Sequence, residues 1–76
     1  MHQHICAEMV STIIEVQVDH GTLVAEGDTV ALLESMKMEI PLVAEVSGRV
    51  VSITAAVGSV VQADDVVLTL DVRAGS

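Results

Sequence analysis

The chain has 76 residues, 51% of them hydrophobic but none aromatic, and a formal net charge of −8 from Lys+Arg 3 against Asp+Glu 11. That length allows one domain, 1–76, with a modest aliphatic core, and excludes two. The charge and the lack of stacking side chains exclude nucleic acid as a partner, since phosphate backbones are held by Lys and Arg and single strands by aromatic platforms.

In chain order, residues 1–4 read as a frayed end, with no basic stretch leading into an apolar run. His2 and His4 form a His-x-His that can chelate, but two imidazoles without a third ligand make a poor site, and no metal is expected. Cys6, the only cysteine, rules out an internal disulfide and reads as a small core residue. Thr12, Ile14, Val16 and Val18 then alternate with Glu15, Gln17 and Asp19, the period of a strand with one buried face. A turn at 19–22 follows, with Gly21 available for positive φ. Leu23-Val24 is a short strand, 25–28 a second turn and 29–34 a longer strand. The plan recurs as a strand at 50–54, a turn around Gly58, Val60-Val61, a turn at 62–65 and a strand at 66–72, with a second frayed end at 73–76. No segment has the length or apolarity to span a bilayer, so no membrane role and a cytoplasmic location are expected.

This recurrence is an internal repeat. Shifting the chain by 37 positions lays 7–34 over 44–71 without a gap and matches Ala7 with Ala44, Gly21 with Gly58, Asp28 with Asp65 and Leu33 with Leu70. Two copies are too few for a solenoid, so the halves, about 5–36 and 42–73, are expected to share one core. The fold expected is all-β: about eight short strands in two antiparallel sheets of roughly four, a flattened barrel or sandwich with a pseudo-twofold axis. The segment joining the halves, 35–38, takes the place in one half that the termini take in the other, which sets Lys37 at the edge opposite the termini.

That joining segment reads Leu32-Leu33-Glu34-Ser35-Met36-Lys37-Met38-Glu39-Ile40-Pro41. Glu-Ser-Met-Lys-Met-Glu resembles the biotinylation motif of biotinyl domains, usually Glu-Ala-Met-Lys-Met. Gly27-Asp28-Thr29-Val30 and the Ala-x-x-x-Gly spacing from Ala44 to Gly48 are similar to the same family, which spans roughly 5–72. The resemblance implies a barrel-sandwich hybrid and a biotin cofactor joined by an amide bond to the ε-amine of Lys37 by a biotin protein ligase. It implies that Met36 and Met38 help the ligase choose its lysine, with Glu34, Ser35 and Glu39 completing the recognised motif, and that a biotin carboxylase and a carboxyltransferase are the later partners. The chain is then a carrier rather than an enzyme, free-standing and serving a carboxylase of acyl-CoA, as in the acetyl-CoA carboxylase of fatty acid biosynthesis. The gapless repeat leaves no room for the thumb insertion of some such carriers.

The residues agree with this on physical grounds. Tight two-residue hairpins ordinarily use Asn-Gly or Asp-Gly, yet no Gly, Asn or Asp lies between Glu34 and Glu39. A turn there is mildly strained, and strain kept at an exposed tip points to presentation of Lys37. The carboxylates are spread through turns rather than paired for acid/base work. Two other readings stand beside the biotin carrier: a lipoyl-type acyl carrier, whose usual motif is Asp-Lys-Ala, and an unmodified interaction module. Asp64 stands where the first half has Gly27, and Ala7-Glu8-Met9-Val10-Ser11 departs from the family's Ala-Pro-Met-Pro-Gly.

Overall fold

The computed structural model describes residues 1–72, all of whose regular structure is strand. β1 (His2–Cys6), β2 (Ser11–Val16), β3 (Leu23–Val24) and β4 (Thr29–Ser35) make the first half. β5 (Met38–Val43), β6 (Gly48–Ile53), β7 (Val60–Val61) and β8 (Val66–Asp71) make the second. They form two four-stranded antiparallel sheets, ordered β1-β8-β6-β3 and β5-β4-β2-β7. Each sheet therefore takes strands from both halves, and exchanging the halves turns one strand order into the other. The expected eight strands, two sheets and pseudo-twofold repeat are all present.

The repeat extends to individual backbone bonds. Gly27 N donates to Ala44 O and Asp64 N to Ala7 O, both at 2.8 Å; Ala44 N donates to Asp28 O and Ala7 N to Asp65 O, both at 2.9 Å. Thus the turn of each half is tied to the start of the other, and neither half completes its hydrogen bonding alone. Asp28 Oδ2 accepts from Ala25 N at 2.8 Å and Asp65 Oδ2 from Gln62 N at 2.7 Å, the local side-chain bond that makes aspartate a turn former.

The core lies between the sheets. Its fully buried side chains are also mates under the repeat: Ile13 with Val50, Val30 with Val67, and Leu70 with the nearly buried Leu33. Burying each contributes about 1.5–3 kcal/mol relative to leaving it in water.

Two expectations are corrected. Ile14 does not belong to the inward row with Thr12 and Val16: Ile13 is wholly buried, Ile14 is exposed, and the register with β4 slips between Ile13 and Glu15. A bulge puts two consecutive residues outside and reverses the alternation within the strand, and the mate β6 slips likewise between Val50 and Ser52. Nor is the start of the chain frayed. β1 pairs along its length with β8, from His2 opposite Asp71 to Cys6 opposite Val66, and Val72 N donates to Met1 O at 2.7 Å. The reason is the burial of β8, whose Leu68 and Leu70 lie at 0% exposure; a strand so placed requires partners on both edges, and β1 supplies one as β5 does for β4. The expected fraying of 73–76 lies outside the described residues.

Candidate functional site

β4 and β5 form a hairpin paired from Thr29 opposite Val43 up to Ser35 opposite Met38, leaving Met36 and Lys37 as a two-residue loop. Both loop residues are left-handed, Met36 at φ 51° and Lys37 at φ 65°. Two consecutive positive φ values make the mirror-image turn that matches strand twist, which ordinary side chains adopt at about 1–2 kcal/mol each. The only other non-glycine residue with positive φ among those described is Asp64, at φ 71°, the mate of Gly27 at φ 93°. Methionine and lysine lack the short polar side chain that eases aspartate into this region.

The tip is held on a firm base. β4 is the inner strand of its pair of neighbours, with β5 on one side and β2 on the other, so Glu34 faces Glu39 in one direction and Thr12 in the other. The sequence marks Thr12 only as a position of the β2 alternation; its place opposite Glu34, beside the strand leading into the tip, comes from the β2–β4 pairing. Beyond this base Met36 is 91% and Met38 66% exposed, Lys37 is exposed and Ser35 half-buried. Two thioether side chains thus flank the amine in water, soft surfaces able to adapt to more than one contacting protein.

Glu34 and Glu39, both exposed, sit directly opposite each other one step below the turn. Like charges in that position are unfavourable, and the lysine between the strands is the nearest opposite charge along the chain. The one ion pair among the described residues is elsewhere, between the Met1 amino group and Asp71 at 3.3 Å, exposed and weak. A covalently attached group therefore fits at Lys37: the side chain is exposed at the end of a paired hairpin, with no ion pair among the described residues to break.

The other candidates are not gathered here. His4 Nδ1 lies 3.0 Å from Thr69 Oγ1 on the neighbouring strand. Among the described residues no group of three or more His, Cys, Asp or Glu side chains is arranged to hold a metal ion. Cys6, expected in the core, is only half-buried and lines a cavity between β1 and β5. It is the last residue of an edge strand and lies between buried Ile5 and buried Ala7, so the alternation along the chain leaves it off the packed interior.

Comparison with known proteins agrees with this geometry. The chain is 43% identical over 70 residues to a biotinylated protein TB7.3 homolog of Mycobacterium leprae, covering 92% of this chain and 99% of that one. Among solved structures, a single-chain, multi-domain long-chain acyl-CoA carboxylase superposes with a TM-score of 0.89 at 27% identity over 96% of this chain. The urea carboxylase of Kluyveromyces lactis gives 0.87 at 28% identity over 93%. This chain spans only 7% and 6% of those two large chains. The family described as biotin-requiring enzyme matches residues 4–70, nearly the whole two-sheet unit with its exposed lysine hairpin: the chain belongs to this biotin/lipoyl family, as a biotin-carrier domain.

Proposed function

We propose that Lys37 is the residue to which biotin is attached, through an amide bond to its ε-amine, and that the chain carries a carboxyl group from a biotin carboxylase to a carboxyltransferase. The observation supporting this most is the single lysine of the chain standing at the tip of a left-handed turn built from residues that ordinarily avoid it. When bound, biotin supplies a ureido nitrogen that takes up a carboxyl group at one active site and yields it at another.

The chain's own residues present and anchor. Lys37 with its attached arm is a tether of roughly a dozen ångströms, judged from ordinary bond lengths, and tethering raises the local concentration of the carried group at each active site. Paired β4 and β5 keep the base of the tether rigid. Met36 and Met38 offer the contact surface for the ligase, and Glu34, Ser35 and Glu39 complete what it reads. The acidic chain, at net charge −8, is steered toward basic enzyme surfaces.

The acceptor is set by the carboxyltransferase. We assign an acyl-CoA, with the acetyl-CoA carboxylase of fatty acid biosynthesis in the cytoplasm as the instance; similarity to the acyl-CoA carboxylase chain supports this, and similarity to urea carboxylase marks the competing acceptor. Intact-mass measurement of the chain produced with its own ligase tests the attachment. One biotinyl increment is expected, lost completely in Lys37→Ala with the unfolding midpoint unchanged; a lipoyl increment, or no increment, would sink the assignment. Subunits recovered from native extract through the attached biotin test the acceptor, and a urea-specific carboxyltransferase among them would overturn the acyl-CoA assignment.

A further inference from the structure

The facing edges of the two sheets, β1 in one and β5 in the other, leave a cavity of about 270 Å³. No strand pairing bridges β1 and β5 across it, and one of its sides is the flank of the hairpin that carries Lys37. One wall is that hairpin: Leu33 and Ile40, directly paired across β4 and β5, with Leu42 behind them. The opposite wall is Ile5 and Cys6 of β1, and Met9 closes one side.

We propose that this cavity is a resting site for the ring of the biotin attached to Lys37, so that the carrier holds its own cofactor between visits to its partner enzymes. The inference rests on the reading of Lys37 given above and adds to it a site on the chain's own body.

Reach is the first argument. Ile40 is three residues beyond Lys37, about 10 Å along a strand, within a tether of roughly a dozen ångströms. Direction is the second. Met38, Ile40 and Leu42 alternate along β5 on the face that carries the core, with exposure falling from 66% at Met38 through half-buried Ile40 to 8% at Leu42. This row forms an apolar track from the turn into the cavity. Chemistry is the third. Glu8, Glu45 and Asp64 line the cavity, and none of the three side chains has a hydrogen-bond partner among the described residues. A mouth of this kind accepts N–H donors and repels anions. A neutral occupant with two N–H donors on one edge and an apolar remainder satisfies both walls and mouth, which describes the bicyclic ureido ring. The volume is slightly below the range of pockets for drug-sized molecules, in keeping with a ring and part of its arm.

Cys6 provides the readout, because it is the only cysteine and lines the cavity. Alkylation of Cys6 by iodoacetamide is compared in the unmodified and fully biotinylated chains, each verified by intact mass. The loaded chain is expected to react about fivefold more slowly, as for a ring docked roughly four-fifths of the time. Backbone amide shifts are expected to change at Cys6, Ile40 and Val43 as well as at residues 36–38. Val43→Glu alters an exposed position of the edge strand that lines the cavity; loaded and unloaded forms of this variant are expected to react at one common rate while retaining the native spectrum. Equal alkylation rates in the wild-type pair, with shift changes confined to 36–38, would overturn the resting site and leave the carrier reading intact. Absence of the biotinyl mass overturns the carrier reading itself.

Discussion

The two ends of the repeat are built on one plan and used differently. At one, Ser35 and Met38 are joined by the Met36-Lys37 turn; at the other, Val72 and Met1 stand in the same places and are joined by a backbone bond of 2.7 Å and a weak ion pair through Asp71. The hairpin base is the same in both: Glu34 opposite Glu39 matches Asp71 opposite His2. The chain closes only one end with a turn, and it closes that end with residues that fit the turn poorly. Folding supplies a symmetric platform, and departures from the symmetry mark where other constraints act.

The largest departure in packing is Gly48, whose mate is Ser11. A Cβ on Gly48 would come within 2.7 Å of Asp71 O, backbone that cannot swing aside. Ser11 carries a side chain that is 4% exposed and donates to Met9 O at 2.8 Å, so the same place in the first half has room for one. Gly48→Ala is expected to destabilise by about 2–3 kcal/mol through forced separation of β6 from β8. Ser11→Ala is expected to cost about 1 kcal/mol for one lost hydrogen bond. Denaturant midpoints measure both, and equal costs would show the halves to be more alike than their geometry indicates.

Next is the pair of turns at Gly27 and Asp64. Neither a clash nor a buried contact separates them, since a Cβ on Gly27 meets nothing within 4 Å. Only the left-handed backbone matters. Gly27→Ala is therefore expected to cost about 1–2 kcal/mol, and Gly27→Asp measurably less, because aspartate already holds that conformation in the second half. Thermal unfolding of the two variants side by side sharpens the comparison; a larger loss for aspartate would show that Asp64 depends on its own surroundings.

These contrasts explain what was legible in the sequence. The approximate strand count, the two-sheet all-β arrangement and the place of Lys37 in the segment joining the halves followed from the repeat, because apolar positions recurred at one spacing and the joining segment had one place to go. The bulge at Ile14 did not, since Ile13-Ile14 offers two equal candidates for the inward position and the choice is made by the register with β4. β1 was missed because its mates differ in kind: His2 with Glu39, Gln3 with Ile40, His4 with Pro41. It pairs along the edge of β8, and of its own side chains only Ile5 is buried in the core, too little apolar pattern to mark a strand. The cavity escaped for a related reason, lying between strands far apart in the chain whose facing edges are not paired.

The smallest expected effect concerns the turn itself. Met36 at φ 51° pays a local penalty that asparagine largely avoids, since its short polar side chain bonds to nearby backbone. Met36→Asn is expected to stabilise the chain by about 0.5–1 kcal/mol, visible as a small rise in the unfolding midpoint. If the turn served folding alone, the substitution would be an improvement in every assay. In the carrier reading it removes one of the two thioether surfaces beside Lys37 while leaving the hairpin register unchanged, so the rate of biotinylation by the cognate ligase is expected to fall as stability rises. A variant that is both more stable and modified at the wild-type rate would show that Met36 has no part in recognition. The opposite movement of the two quantities would separate what the turn costs the fold from what it gives the ligase.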